Sequence, residues 1–381
     1  MSYDIICFSH LRWNFVYQRP QHLLKRFAIA RHRVFYVEEA ICDSDNDFYE
    51  IKCDEQSGVQ VVLMHISTAH DPSNGNEARR ALVNALVKDM MIEEFMLWYY
   101  APMAIEYTDH LEPRVIVYDC MDELSGFRFA PTKLKENERV LMNKADLVFT
   151  GGYSLYEAKK EFHSNIFAFP SSIDKEHFIK ARQPIEDPED QKNIPQPRLG
   201  FYGVIDERFD IDMVREMADK RPDFNFVLVG PIVKIDPATL PERHNIFYLG
   251  SKTYNELPLY LSGWDIAIMP FALNESTKFI SPTKTPEFLS GGKPVISTPI
   301  QDVVHPYGSK GLVNIASSAE EFIKYADEIL EKGQDRSWLS EVDKFLSDIS
   351  WDITWGKMAS LIDKIMDGNN IDKHTKQQQH V

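Results

Sequence analysis

The feature that most constrains the fold is a break at residues 182–198, RQPIEDPEDQKNIPQPR. It holds four prolines and, apart from Ile185 and Ile194, polar or ionic side chains. Neither a helix interior nor a central strand accepts that composition. On both sides of it, short apolar strands alternate with amphipathic helical stretches, the pattern of a parallel sheet covered by helices. The chain therefore reads as two successive α/β series joined by a linker. At 381 residues it is also too long for one ordinary core. The expected layout is an amino-terminal domain over 1–181, a linker at 182–197, a second domain over 198–349, a terminal helix at 350–366 and a disordered tail at 367–381.

In the first series, strands are expected at Tyr3–Phe8, Arg33–Glu38, Gln60–Met64, Phe95–Tyr99, Val115–Tyr118, Leu147–Thr150 and Ile166–Phe169. Helices are expected at Pro20–Ala30, near 132–144 and at Ser154–Glu161. Another runs over Asn76–Glu94, with Leu82, Leu86 and Met90 on one face. An acidic loop occupies 43–50. In the second series the strands are Arg198–Tyr202, Phe224–Val229, Ile246–Leu249 and Ile266–Met269. The helices are Ile211–Lys220, Tyr254–Leu261, Ala319–Glu331 and further turns to about 366. Such units bind ligands beyond the carboxyl ends of their strands.

Composition narrows the classes of function. Apolar residues at 44% and charged ones at 26% are globular values, and no run of 18 apolar residues offers a membrane span. The opening MSYDIICFSH has no basic lead or cleavable apolar run, so no signal peptide is expected. Cys7, Cys42, Cys53 and Cys120 show neither disulfide nor metal spacing and read as buried thiols of a reducing cytoplasm. A net charge of −16 argues against nucleic acid as a partner. Within residues 1–34, however, Arg12, Arg19, Lys25, Arg26, Arg31 and Arg33 face one acid, Asp4, with Trp13, Phe15, Tyr17 and Phe27 interleaved. That stretch reads either as the solvated side of a helix, the favoured reading, or as contact with an anionic ligand or a membrane surface.

Residues 279–298, FISPTKTPEFLSGGKPVIST, carry the strongest chemical signal. Ser281 reads as an N-cap, Pro282 as the first helical residue and Gly291-Gly292 as the stop. Lys284, near the third helical position, opposes the helix dipole unless an anion sits there. Glu287 lies one turn on and can accept hydrogen bonds from hydroxyls attached to that anion, the layout of a diphosphate joined to a sugar. The other reading, a local Lys284–Glu287 pair on a surface helix, stands at even weight.

Other polar groups divide similarly. Asp43, Asp45 and Asp47 imitate a metal loop, but Phe48 holds the glycine position and Asp54 ends it, so no metal is expected. Asp210 and Asp212 repeat the spacing without further support. Asp119, Asp122 and Glu123 follow a buried strand, where acids of an α/β site gather. Asp122 is the candidate to orient an acceptor hydroxyl or take its proton, and helix capping ahead of Leu124 is the equal alternative. Arg12 and Trp13, after the first strand, reach toward a ligand crevice, whereas His10 and His22 read as structural.

With both halves read this way, the chain resembles the retaining GT-B glycosyltransferases of the group 1, family 4 type, and among them bacterial teichuronic-acid and capsular-polysaccharide transferases. The residues are SHLRWNFVYQRPQHLLKRFA after the first strand, VYDCMDE at 117–123, ADLVFTGGYSLYEAKK at 145–160, FPSSIDKEHF at 169–178, LGFYGV at 199–204, FVLVGP at 226–231 and SPTKTPEFLSGGKPVIST at 281–298. The resemblance implies two Rossmann-like domains facing across a cleft and sugar transfer from a nucleotide donor, UDP preferred, to a glycan or lipid-linked acceptor in surface polysaccharide synthesis. It implies no cofactor and no metal. Lys284 and the helix start, with Ser281 and Thr283, would hold the donor diphosphate, and Glu287 would grip the ribose. A further glutamate of many members falls here at Phe279, leaving Glu275, Ser276, Thr277 or backbone for the sugar. After Gly203 the family's arginine is replaced by Val204, so Arg208 is the candidate second phosphate cation, with pairing to Asp206 or Asp210 as the alternative. Lys252 and Tyr254 fall at the base, and Arg12, Trp13, Asp119 and Glu123 at the acceptor. The competing expectations are a UDP-sugar epimerase and a non-catalytic nucleotide-sugar-binding subunit. The cytoplasm is the expected setting, with peripheral contact at the inner membrane face as the lesser alternative.

Overall fold

The computed structural model describes residues 3–69, 75–333 and 335–368. The expected disordered tail lies, from residue 369 on, outside them. The chain forms two compact units. Unit 1 comprises Met1–Ser125, Phe129–Pro170 and Thr354–Val381, and unit 2 comprises Gly126–Arg128 and Ser171–Ile353.

Unit 1 contains β1 (Asp4–Phe8), β2 (Val34–Val37), β3 (Ile41–Ser44), β4 (Phe48–Cys53), β5 (Gln60–Ser67), β6 (Phe95–Tyr99), β7 (Val115–Cys120), β8 (Leu147–Thr150) and β9 (Ile166–Ala168). Among the described residues they form one sheet in the order β3-β5-β2-β1-β6-β7-β8-β9, with β4 antiparallel on β5. The central strands DIICF and FMLWY are apolar runs without alternation, and they are buried on both faces as parallel strands require. The sheet winds one way from β1 to β2 and the other way from β1 to β6. Its switch point therefore lies at β1, whose following loop carries Arg12 and Trp13.

Unit 2 contains β10 (Arg198–Tyr202), β11 (Asn225–Val229), β12 (Ile246–Gly250), β13 (Ile266–Met269), β14 (Val295–Ser297) and β15 (Asn314–Ile315). All pair in parallel in the order β12-β11-β10-β13-β14-β15. Here β10 is the switch strand, flanked by β11 and β13. A core of Phe201, Phe226, Leu228, Ile268, Phe288 and Val303 fills the space between this sheet and its helices.

Several expectations are corrected. The division falls at Pro170–Ser171, and the segment read as a linker is folded into unit 2. Gln191 is 0% exposed, donating to the Tyr260 carbonyl at 3.1 Å and accepting from Trp264 Nε1 at 2.9 Å. Arg198 pairs with Asp187 at 2.6 Å. Polar side chains thus hold the segment by bonding backbone and buried partners rather than water. From Thr354 the terminal helix Trp351–Met366 belongs to unit 1, where Trp355 meets Phe27 at 5.7 Å.

The helix expected over Asn76–Glu94 ends at Asp89, and Met91 turns to φ +49°. The acidic loop 43–50 is mostly edge sheet: Asp43 and Ser44 lie in β3, and residues from Phe48 lie in β4. Asp43 accepts from His65 Nδ1 at 2.8 Å and Asp47 from the Ser67 amide at 2.8 Å. Asp210 caps Ile211–Lys220 through the Met213 amide. Cys42 and Cys53 are exposed, while Cys7 and Cys120 are the buried thiols expected. Among the described residues, no helix is long and apolar enough to cross a membrane.

Candidate functional site

The site in unit 2 grows from the carboxyl ends of β10 and β13, where the winding reverses and the loops part. Gly203, directly after β10, sits at φ +143°. A Cβ there would stand 2.2 Å from Cε and 2.8 Å from Nζ of Lys284, so only glycine lets the lysine lie against this backbone. Lys284 Nζ also lies 5.7 Å from the Phe201 ring centre and 5.9 Å from that of Phe271. The loop after β11 closes on the same place, for a Cβ at Gly230 would stand 1.9 Å from the Gly203 carbonyl oxygen.

The helix bearing Lys284 runs over Lys284–Ser290, with Thr283 at its cap and Gly291 ending it. Pro282 is therefore not its first residue, and Ser281 is not its cap. Ser281 Oγ accepts instead from the Ser171 amide at 3.3 Å, and its carbonyl from the Ser171 hydroxyl. Lys284 opens the helix rather than standing in its third position. Glu287 is 6% exposed and accepts from the Tyr202 hydroxyl at 2.7 Å. Burial pushes its pKa up to about 7, against the lowering pull of Tyr202 and Lys284, and Asp174 adds to the rise. The surface-pair reading of Lys284–Glu287 fails on this burial.

Arg208 gives Nε and Nη2 to the buried Asp206 at 2.7 to 3.2 Å, the alternative weighed for it. Its guanidinium also lies 5.4 Å from the Phe127 ring centre, as does the Lys234 ammonium. Lys252 is tied to Asp190 at 2.6 Å and Tyr254 stacks on His177 at 4.3 Å. Ser276 and Thr277 are held in a turn on Asn274, whose Nδ2 donates to the Glu207 carbonyl at 3.1 Å. Sequence reading missed Tyr202, Lys234 and Glu207. Tyr202, the residue before Gly203 in the quoted LGFYGV, was the legible one.

Unit 1 corrects most of the acceptor set. Asp119 is 0% exposed and takes three hydrogen bonds from Arg19 at 2.8 to 3.0 Å, so it cannot meet a ligand. Trp13 is buried against Tyr36, its amide donating to Glu38 at 2.7 Å. Glu123 pairs with Lys159 at 2.7 Å. Burial would raise its pKa, but the Lys159 ammonium outweighs that and holds it low. Arg12 pairs with Glu38 at 3.0 Å yet keeps its side chain 38% exposed. Asp122 is half-buried, and its carbonyl accepts from the Leu124 amide at 3.1 Å. His22 is buried against Tyr17.

No protein-family model matches the chain. It is 25% identical over 312 residues to TuaH of Bacillus subtilis (strain 168), a glycosyltransferase named for teichuronic acid biosynthesis; 76% of this chain and 73% of that protein are covered. Sucrose-phosphate synthase from Thermosynechococcus elongatus superposes with a TM-score of 0.71 at 14% identity, over 97% of this chain and all of that one. Anabaena HepE in complex with UDP and glucose superposes with a TM-score of 0.66 at 14% identity, over 94% of this chain and 99% of that one. The chain has the GT-B fold that these solved structures share, and the curated relative it matches is named a glycosyltransferase.

Proposed function

We propose that the chain moves a sugar from a nucleoside diphosphate donor, with UDP as the nucleotide, to a glycan or lipid-linked acceptor in surface polysaccharide synthesis. It does so with retention of configuration and without a metal, in the cytoplasm or at the inner membrane face. The observation that carries the reading is Lys284 laid against Gly203 at the β10–β13 switch point, with buried Glu287 on the same helix. The names of TuaH and of the HepE complex support the polysaccharide setting and the nucleotide.

Glycosyl transfer builds positive charge on the sugar and negative charge on the departing diphosphate. A cation fixed in advance at the diphosphate lowers the barrier without reorganising. Lys284 takes that role, with Ser281, Thr283 and the Gly203 backbone shaping the diphosphate pocket. Arg208 serves as the second cation. Its charge is partly cancelled by Asp206, so its removal has the smaller effect. Glu287 receives the ribose hydroxyls, and their hydrogen bonds favour its ionised form. Nucleotide binding therefore releases a proton, and affinity rises with pH up to about 7. Tyr254 and Lys252 border the base, and Asp122 and Arg12 in unit 1 orient the acceptor.

The test is thermal shift and calorimetry with UDP-, GDP-, ADP- and TDP-sugars, with and without EDTA, on wild type, Lys284→Ala and Arg208→Ala. One nucleotide class stabilises the wild type regardless of EDTA. Lys284→Ala loses that and about 10²–10³ in turnover, and Arg208→Ala loses less. A chain that binds none of the donors has no donor site here.

A further inference from the structure

Glu207 is the one acid of the β10 loop without a use so far. Both of its carboxylate oxygens are shielded from solvent and receive no hydrogen bond. Its neighbours do not serve it: Asp206 accepts the Arg208 guanidinium and the Arg208 amide at 3.0 Å, and Asn274 Nδ2 is spent on the Glu207 carbonyl. The surrounding backbone holds it firmly. Ala272 N donates to Arg208 O at 2.8 Å, Asp210 N to Pro270 O at 2.8 Å, and Phe209 pairs antiparallel with Phe271. The β10 loop is thereby laced to the segment leaving β13, the two chain segments that bound the switch-point crevice.

A shielded carboxylate without donors is unfavourable, and among the described residues Glu207 is the one acid with both carboxylate oxygens left so. An ionised carboxylate is an acceptor only, with room for a bidentate pair. What completes it must bring donors, and the donor proposed for this crevice carries two sets of hydroxyls. In that reading Glu287 takes one set, the ribose hydroxyls.

We propose that Glu207 binds hydroxyls of the transferred sugar and so helps select the donor. This rests on the nucleotide-sugar reading of the site. The carboxylate spans two neighbouring ring hydroxyls and is satisfied only when the sugar is present, so UDP alone leaves it unpaired.

The experiment compares wild type with Glu207→Gln in the full chain, titrated by calorimetry with UDP and with UDP-glucose, UDP-galactose and UDP-N-acetylglucosamine, together with thermal melts. The wild type binds at least one of these sugars more tightly than UDP. Glu207→Gln leaves UDP affinity unchanged, weakens that UDP-sugar by about 10- to 100-fold, and melts at a higher temperature than the wild type without ligand. Deoxy analogues of the sugar lose their penalty in the variant. Equal loss for UDP and UDP-sugar, no loss for either, or a lower melting temperature of the free variant would overturn the assignment. So would a wild type that prefers UDP to every UDP-sugar, or magnesium binding that disappears in the variant. Failure of the wild type to bind UDP itself strikes the donor-site reading instead, and the two failures stay distinct.

Discussion

The two units share a parallel sheet with a switch point, yet they treat the charges at its carboxyl edge differently. In unit 1 the charges are consumed internally: Arg19 by Asp119, Arg12 by Glu38, and Lys159 by Glu123 and Glu138. In unit 2 two carboxylates of the site are held short of satisfaction. Glu287 is driven toward its neutral form and Glu207 has no donor. A closed set of pairs maintains a fold, whereas a set that lacks its complement is prepared for a ligand. The same architecture thus supplies a finished edge and an open one.

The comparison breaks most readily at Asp119. Asp119→Asn leaves the Arg19 guanidinium buried and unpaired, and the protein should lose about 3–5 kcal/mol in urea unfolding. UDP binding by the folded fraction should be unchanged. Unaltered stability would show that the pair does not hold unit 1 together.

Glu287 sharpens the contrast through pH. Its folded pKa is raised, so the native state binds the proton more tightly than the unfolded chain. The stabilisation is complete below the ordinary carboxylate range and is lost as pH rises through about 7. Glu287→Gln should remove that slope, on the order of 3 kcal/mol between the two limits, read as the difference between wild-type and variant stability curves. Parallel curves would mean that the carboxylate ionises normally.

The smallest effect belongs to Arg12. Its pair with Glu38 is half in water, and Arg12→Ala should change stability by about 0–1 kcal/mol. Its value lies in activity: slower turnover with donor affinity intact marks an acceptor contact, and unaltered turnover makes it an ordinary surface pair.

Much of the fold was legible because period and punctuation agreed. Leu147–Thr150, Arg198–Tyr202, Ile211–Lys220 and Ile266–Met269 match the structure at both ends. Each is an apolar run or an amphipathic helix with a turn or cap beside it. Where punctuation was missing, the reading overran. Nothing in Lys88–Glu94 announces the helix end at Asp89, since Met91 adopts a positive φ without being glycine. Ser281-Pro282 announced a helix start that Ser171 pre-empted from 110 positions away.

What the sequence determined by itself is the series of strands and helices, the two α/β units, and the nomination of Lys284, Glu287 and Gly203, of which the structure lays Lys284 against Gly203 and buries Glu287 on the same helix. These depend on local spacing and on the residue types that backbone geometry permits. Tertiary structure alone decided which charged groups were already spent. Asp119, Glu123 and Lys252 look available in the chain, but partners from other elements claim them. Glu207 looks ordinary there and proves to be without a donor. Pairing and desolvation depend on neighbours in space, which no local pattern encodes.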